Sequence, residues 1–310
     1  MIEGQEGVTW EQWLALALAC EEHGIDALFR SDHYLSVRGV RDLGSLDAWT
    51  TIAGLAARTD RLRLGTLVSP ATFRHPSLLA KAVVTADHAS GGRVELGMGA
   101  GWHRQEHEAY GFPFPEDGER MEMLEEQVAI VHRSWHPGEV TFEGKHYKLD
   151  RSPALPKPVQ EPHPRLIIGG AAGGRSARLA ARWADEYNTT FASPEECRGR
   201  RARVQEAWDG EGRSEDPVFS LMAGIVVGSD RETVLDRAGA VIERLGRGGS
   251  PEDLLASWGD RWIAGTVDQV VDRLREYEEA GVDRVMLQHL VHEDLETVTL
   301  LAREVAPAVA

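Results

Sequence analysis

Two hydrophobic patterns alternate along the chain. Stretches with apolar residues at helical spacing are separated by short apolar runs of strand length. The first helix opens on Thr9-Trp10-Glu11-Gln12, a capping box, and carries Trp10, Trp13, Leu14, Ala17 and Leu18 at helical spacing. Gly24 closes it. Ser193-Pro194-Glu195-Glu196 sets an N-cap before a proline at the first helical position. Ser229-Asp230-Arg231-Glu232 and Thr266-Val267-Asp268-Gln269 read as two further capping boxes, the second followed by Val267, Val270, Val271 and Leu274 on one face. Leu295, Val298, Leu301 and Val305 predict a terminal helix.

The strand-length runs are 26–30, 62–68, 94–97, 165–168, 186–189, 219–227 and 283–288, with a fragment at 1–3. Strand alternating with helix predicts a parallel sheet with crossover helices. Eight βα units predict a closed (β/α)8 TIM barrel, an α/β fold forming one domain over residues 1–310. An open doubly wound sheet would want a dinucleotide fingerprint early. The first junction, Glu3-Gly4-Gln5-Glu6-Gly7, has no G-x-G-x-x-G. Residues 136–164 break the alternation. Val140-Thr141-Phe142, a Glu143-Gly144-Lys145 turn and His146-Tyr147-Lys148-Leu149 predict a β-hairpin there, followed by Pro153, Pro156, Pro158, Pro162 and Pro164. A strand averages ~5–6 residues, yet only Met1-Ile2-Glu3 precede the turn at Gly4. The first stave therefore reads as truncated, starting late and leaving its neighbours' backbone groups unpaired.

Charge narrows the partners. The chain has 34 basic and 50 acidic residues, a formal net of −16. Nucleic-acid binding needs a basic surface, as does an anionic membrane surface, so neither is expected. No run approaches the ~20 apolar residues of a membrane span, and Met1-Ile2-Glu3-Gly4 lacks the regions of a signal peptide. The reading is a cytoplasmic protein with a small-molecule substrate. Cys20 and Cys197 cannot make a disulfide framework or a thiolate zinc site, and Cys20 reads as a buried small hydrophobe.

Barrels place chemistry in the loops after the strands' C-terminal ends. Those loops here are Arg30-Ser31-Asp32-His33-Tyr34, residues 67–76, Gly97-Met98-Gly99-Ala100-Gly101-Trp102-His103 and Gly169-Gly170-Ala171-Ala172-Gly173-Gly174-Arg175-Ser176. Glycines between a strand and a helix let backbone N–H groups approach an anion, which points to a phosphate-bearing cofactor at the last loop. That loop also resembles G-x-x-x-x-G-K-[ST], but arginine stands where the phosphate-reaching lysine belongs. His103-Arg104-Gln105-Glu106-His107 matches an H-x-x-E-H zinc pattern. Its glycine-rich context favours ordinary rim residues, and no metal is assigned. His33 beside Asp32 is a candidate acid/base, although neighbours on extended chain point apart. His23, His88, His132, His136, His163, His289 and His292 read as surface or packing residues.

Several segments together resemble the bacterial-luciferase-like superfamily, in particular its oxidoreductases that use the deazaflavin coenzyme F420. They are 29–34, 63–68, 72–76, 90–102, 167–170 and 281–286. The resemblance implies a TIM barrel with an insertion and a hydride transfer between F420 and a small organic substrate. By position, Asp32 and His33 would flank the ring's reactive face, with His33 the proton donor or acceptor. A non-proline cis bond at Leu67–Val68 would bulge under the ring. Gly99, Ala100, Gly101 and Trp102 would approach the ring and side chain, and Gly169, Gly170, Ala171 and Ala172 the phosphate. Tyr34, Trp49 and Trp102 would line an apolar substrate pocket. Some sugar-oxidising relatives carry a glutamate where Trp102 stands, which counts against a sugar substrate. Arg30, Arg74, Arg104 and Arg175 would offset the net charge near an anionic cofactor. Two alternatives stay open: a reduced-FMN monooxygenase fed by a separate reductase, and a non-catalytic flavin- or deazaflavin-binding protein. Relatives are often dimers, and the barrel-side helices offer an interface for a homodimer.

Overall fold

In the computed structural model, which describes residues 1–309, the strand-length runs become staves of one parallel sheet. In chain order, α1 (Trp10–His23) leads to β1 (Ala27–Arg30), α2 (Ala48–Ala56), β2 (Arg63–Pro70), α3 (Pro76–Ser90) and β3 (Val94–Gly99). Then come α4 (Arg104–Tyr110), the long α5 (Asp117–Trp135) and a hairpin of β4 (Val140–Glu143) and β5 (Lys148–Ser152). Alternation resumes with β6 (Arg165–Gly169), α6 (Gly174–Trp183), β7 (Glu186–Thr190), α7 (Pro194–Gly210) and β8 (Val218–Gly228). It continues with α8 (Arg231–Leu245), α9 (Pro251–Trp258), β9 (Ile263–Thr266), α10 (Val267–Glu279) and β10 (Arg284–Gln288). α11 (Leu295–Leu300), a π turn at Leu301–Val305 and α12 (Ala306–Val309) make up the terminal helix.

The sheet runs β1-β2-β3-β6-β7-β8-β10. The segment Met1–Glu3 lies between its two edges. Ile2 N–H donates to Phe29 and Ser31 N–H to Ile2, at 2.9 and 3.1 Å. On the other side the Met1 amino group donates to Leu287 at 2.9 Å and His289 N–H to Met1 at 3.0 Å. The first stave is thus as short as expected, but β1 and β10 are not left unpaired beside it. Its residues have partners on both sides because each backbone group aims at a different neighbour.

Local rules explain most helix ends. Thr9 forms the expected capping box, the expected N-cap Ser193 proves to be part of a capping box with Glu196, and Gly24 ends α1 in the left-handed region at φ 79°. α8 differs from expectation: Asp230, not Ser229, is its N-cap, accepting from Thr233 N–H. β9 is unexpected too. Its four residues pair with 225–228, the far half of the eleven-residue β8, beyond the ring.

Inside the ring, Phe29, Leu67, Ile167, Met222 and Met286 pack into an apolar layer with Met1. Gly65 makes room for it, since a Cβ there would lie 2.6 Å from the Phe29 ring. Beneath this layer, at the strands' N-terminal ends, sits an ionic plug. Glu95 bonds Arg63 at 2.5 Å and Arg284 at 2.7 Å. Glu186 bonds Arg284 at 3.2 Å and Arg165 at 3.1 Å. Burial favours the neutral acid at Glu95, but Arg284 and Arg63 outweigh it and hold its pKa below the usual 4.5. No helix among the described residues is long and apolar enough to cross a membrane.

Glu95→Gln removes the charge that Arg63 and Arg284 share. It should cost ~3 kcal/mol in urea unfolding at pH 7, the low end for a broken buried pair because the arginines keep some contact with water. Because the folded pKa of Glu95 is depressed, its contribution is present above pH 4.5 and fades as pH falls through the folded value. The variant's deficit should therefore shrink in acid.

Candidate active site

At the strands' C-terminal ends the loops enclose a cavity of about 650 Å³. Of the residues expected there, His33, Leu67, Val68, Gly101, Trp102, Gly169 and Gly170 line it. Phe191, Trp258 and Trp262, which the sequence did not single out, add an aromatic wall. Trp258 and Trp262 stack with centroids 3.7 Å apart, and Trp262 lies over Gly224, where a Cβ would meet its ring at 2.2 Å. Arg38, Arg244 and Arg247 also face the cavity. Trp102 is 62 % exposed at the mouth.

The floor is a ledge made by β2. The Leu67–Val68 peptide is cis, as the resemblance implied, and the β2–β3 register shifts between Thr66 and Ser69. Three glycines receive the Val68 side chain. A Cβ at Gly97, Gly99 or Gly169 would lie 2.9, 2.7 or 3.0 Å from its methyls. Gly99 therefore packs against the ledge rather than facing the cavity.

His33 and Asp32 point apart and have separate partners. His33 Nδ1 lies 2.7 Å from Glu106 Oε2. The other Glu106 oxygen accepts from the backbone N–H groups of Tyr34 and of Leu35, the latter at 3.1 Å. Burial works against a charged His33, but the hydrogen bond and charge of Glu106 prevail and raise its pKa above 6.5. Burial likewise opposes ionisation of Glu106, yet His33 and the two N–H donors keep its pKa below the usual range. Glu106 was visible only as part of H-x-x-E-H, a pattern that does not converge. His107 Nε2 is 2.6 Å from Thr72 Oγ1, and its Nδ1 is 2.8 Å from the His103 carbonyl.

Asp32 is buried behind the mouth. Its Oδ2 accepts from Ser69 Oγ and Arg74 Nη1, both at 2.6 Å, while Oδ1 has no partner among the described residues. Arg74 continues to Asp47 at 2.6 Å and to Tyr34 Oη at 2.8 Å. Burial, against the opposing pull of Arg74, raises the Tyr34 pKa beyond the ordinary phenol range. Tyr34 and Trp49, expected in the substrate pocket, do not line it. Tyr34 belongs to the Arg74 network, and Trp49 Nε1 donates to Ser69 at 3.0 Å. Their polar atoms found partners in the wall, which turned the rings away from the cavity.

The glycine-rich loop after β6 leads directly into α6. Gly173 is the N-cap of α6 and supplies no side-chain cap, whereas Ala172 is buried and Ala171 exposed. Gly170 admits Tyr187, whose Oη would be 2.7 Å from a Cβ there. The expected arginines are engaged elsewhere. Arg175 pairs with Glu125 at 2.6 Å, Arg104 lies over Phe114, and Arg30 is buried on Thr51 and the Leu46 carbonyl. Arg203 of α7 instead reaches the loop, donating to the Ala172 carbonyl at 3.1 Å.

The ledge yields a double-mutant test. Gly99→Ala should lower stability by ~1–3 kcal/mol through overpacking, read from urea unfolding. Among the described residues, Val68 is the only side chain its Cβ would touch. In a Val68→Ala background the same change should therefore cost much less, a coupling that additive sites would not show.

Comparison with known proteins identifies the family. The family described as luciferase-like monooxygenase matches residues 2–284. An F420-dependent glucose-6-phosphate dehydrogenase of Nakamurella multipartita is 30% identical, with 94% of this chain and 90% of that protein covered. An FMNH2-dependent dimethylsulfone monooxygenase of Pseudomonas putida is 28% identical over 82% of this chain and 76% of its own. Among solved structures, an F420-dependent secondary alcohol dehydrogenase in complex with an F420-acetone adduct superposes with a TM-score of 0.81. It is 20% identical and covered over 96%, against 98% of this chain. The chain is an enzyme that belongs to the luciferase-like monooxygenase family of oxidoreductases.

Proposed function

We propose that the enzyme transfers a hydride between coenzyme F420 and a small organic substrate. The observation that carries this reading is the His33–Glu106 pair on the wall of a cavity with the Val68 ledge as its floor. The residues present fit the cofactor. Gly169, Gly170 and the α6 N-terminus, which has no side-chain cap, suit its phosphate. Leu67 and Val68 offer an apolar shelf for a flat ring. The relative at 30% identity, named for F420, supports F420 over FMN.

When bound, a deazaflavin carries hydride on a ring carbon and resists oxygen. The protein's own groups supply the rest. Glu106 fixes the His33 ring through Nδ1, so Nε2 is the atom left to give or take the substrate's proton. The aromatic wall orients an apolar substrate and excludes water. Trp102 stands where some sugar-oxidising relatives have a glutamate, so the substrate class favoured is an alcohol, ketone or enone rather than a sugar. A reduced-FMN monooxygenase is the second reading, supported by the FMNH2-dependent relative.

Titrating the purified protein with F420 and with FMN, followed by tryptophan fluorescence, separates the two. F420 should bind more tightly; tight FMN binding without F420 binding would overturn the proposal. His33→Ala should keep F420 binding and lower single-turnover hydride transfer by ~10²–10⁴. Full transfer in that variant would remove His33 from the mechanism.

A further inference from the structure

On the outside of the barrel, away from the mouth, three histidines converge. His132 sits in the last turn of α5, His136 is the residue that caps its C-terminus, and His163 lies just before β6. One ring nitrogen from each falls within 4.8 Å of the others. His132 and His163 border a cleft of about 250 Å³ that Asp185 and Glu211 also line.

Their hydrogen bonds set the tautomers. His136 Nδ1 lies 2.9 Å from the His132 carbonyl, and His163 Nδ1 lies 2.9 Å from the Pro164 carbonyl. A carbonyl can only accept, so both Nδ1 atoms carry a proton, and Nε2 is the atom that offers a lone pair in each neutral ring. An imidazole anchored through one nitrogen to a backbone carbonyl is how metal-bound histidines are usually held.

We propose that His132, His136 and His163 form a site for a late first-row divalent cation, with zinc as the reference ion and water completing the shell. Imidazole nitrogens ~2.0–2.1 Å from a tetrahedral zinc are ~3.4 Å apart, so the rings close by little more than ~1 Å on binding. Asp185, whose Oδ2 is 3.8 Å from His163 Nδ1, supports that ring from behind and adds negative charge. Nearby Arg213 is turned toward the Ala181 and Ala184 carbonyls. Such an ion would clip the end of α5 to the entry of β6, the two ends of the hairpin-bearing insertion. It would stabilise the fold without touching the reaction.

The test uses the full chain after chelator treatment. Calorimetric titration with zinc chloride should show one equivalent per chain, and zinc should raise the melting temperature. His136→Gln and His163→Gln should lose both effects while melting like the parent without metal. Cobalt provides a readout in the unmodified site. The Trp183 ring is 5.1 Å from His132 and the Trp135 ring 5.9 Å from His163, so one equivalent of Co2+ should quench part of the emission of the nine tryptophans, and Trp183→Phe should reduce that quenching. Three results would each overturn the proposal. They are no stoichiometric uptake, uptake unchanged in both histidine variants, and quenching that ignores Trp183.

Discussion

The Glu106 carboxylate accepts from the backbone N–H groups of Tyr34 and Leu35 and from the His33 ring, joining α4 to the loop that leaves β1. Few groups in the mouth are tied so completely. Buried without these donors, the charge would be costly; with them it is stable and immovable. It sets the path of residues 33–35, fixes the His33 ring and tilts that ring's protonation upward. The cavity wall follows from that choice, since Trp102 stands edge-on to His33 with centroids 5.7 Å apart. Asp32, one residue earlier, faces the other way and anchors Arg74. The β1 end thus serves two networks with adjacent residues.

Barrel architecture divides the remaining tasks by height. Charges at the N-terminal ends of the staves are gathered by Glu95 and Glu186 into a plug. The apolar layer above it, Phe29 to Met286, separates that plug from the cavity. Stability resides below and chemistry above, so loop residues can change without disturbing the seal. The Val68 ledge links the levels: Gly97, Gly99 and Gly169 of β3 and β6 hold a side chain that forms the cavity floor.

The barrel was legible because its staves are buried on both faces and read as continuous apolar runs between helix signals. Asp32 and His33 were legible because a barrel displays its strand ends. Glu106 was not, since its partner is 73 positions away and its local surroundings imitate a zinc pattern. Tyr34 and Trp49 misled because an aromatic near a strand end looks like pocket lining; only the partners of Tyr34 Oη and Trp49 Nε1 show which way each ring turned. Arginine charge was legible as a total but not by address. Arg30, Arg74 and Arg175 are held by nearer groups, while Arg203 arrives from α7. The three outer histidines looked ordinary because α5 and the start of β6 meet only after the insertion returns.

The central claim is that Glu106 holds a proton on His33 at the cavity wall. The direct measurement is the His33 pKa, by heteronuclear NMR titration of the wild type and of Glu106→Gln. The wild-type value should lie above 6.5 and fall in the variant. A wild-type value at or below 6.5, unchanged by the substitution, would contradict the claim.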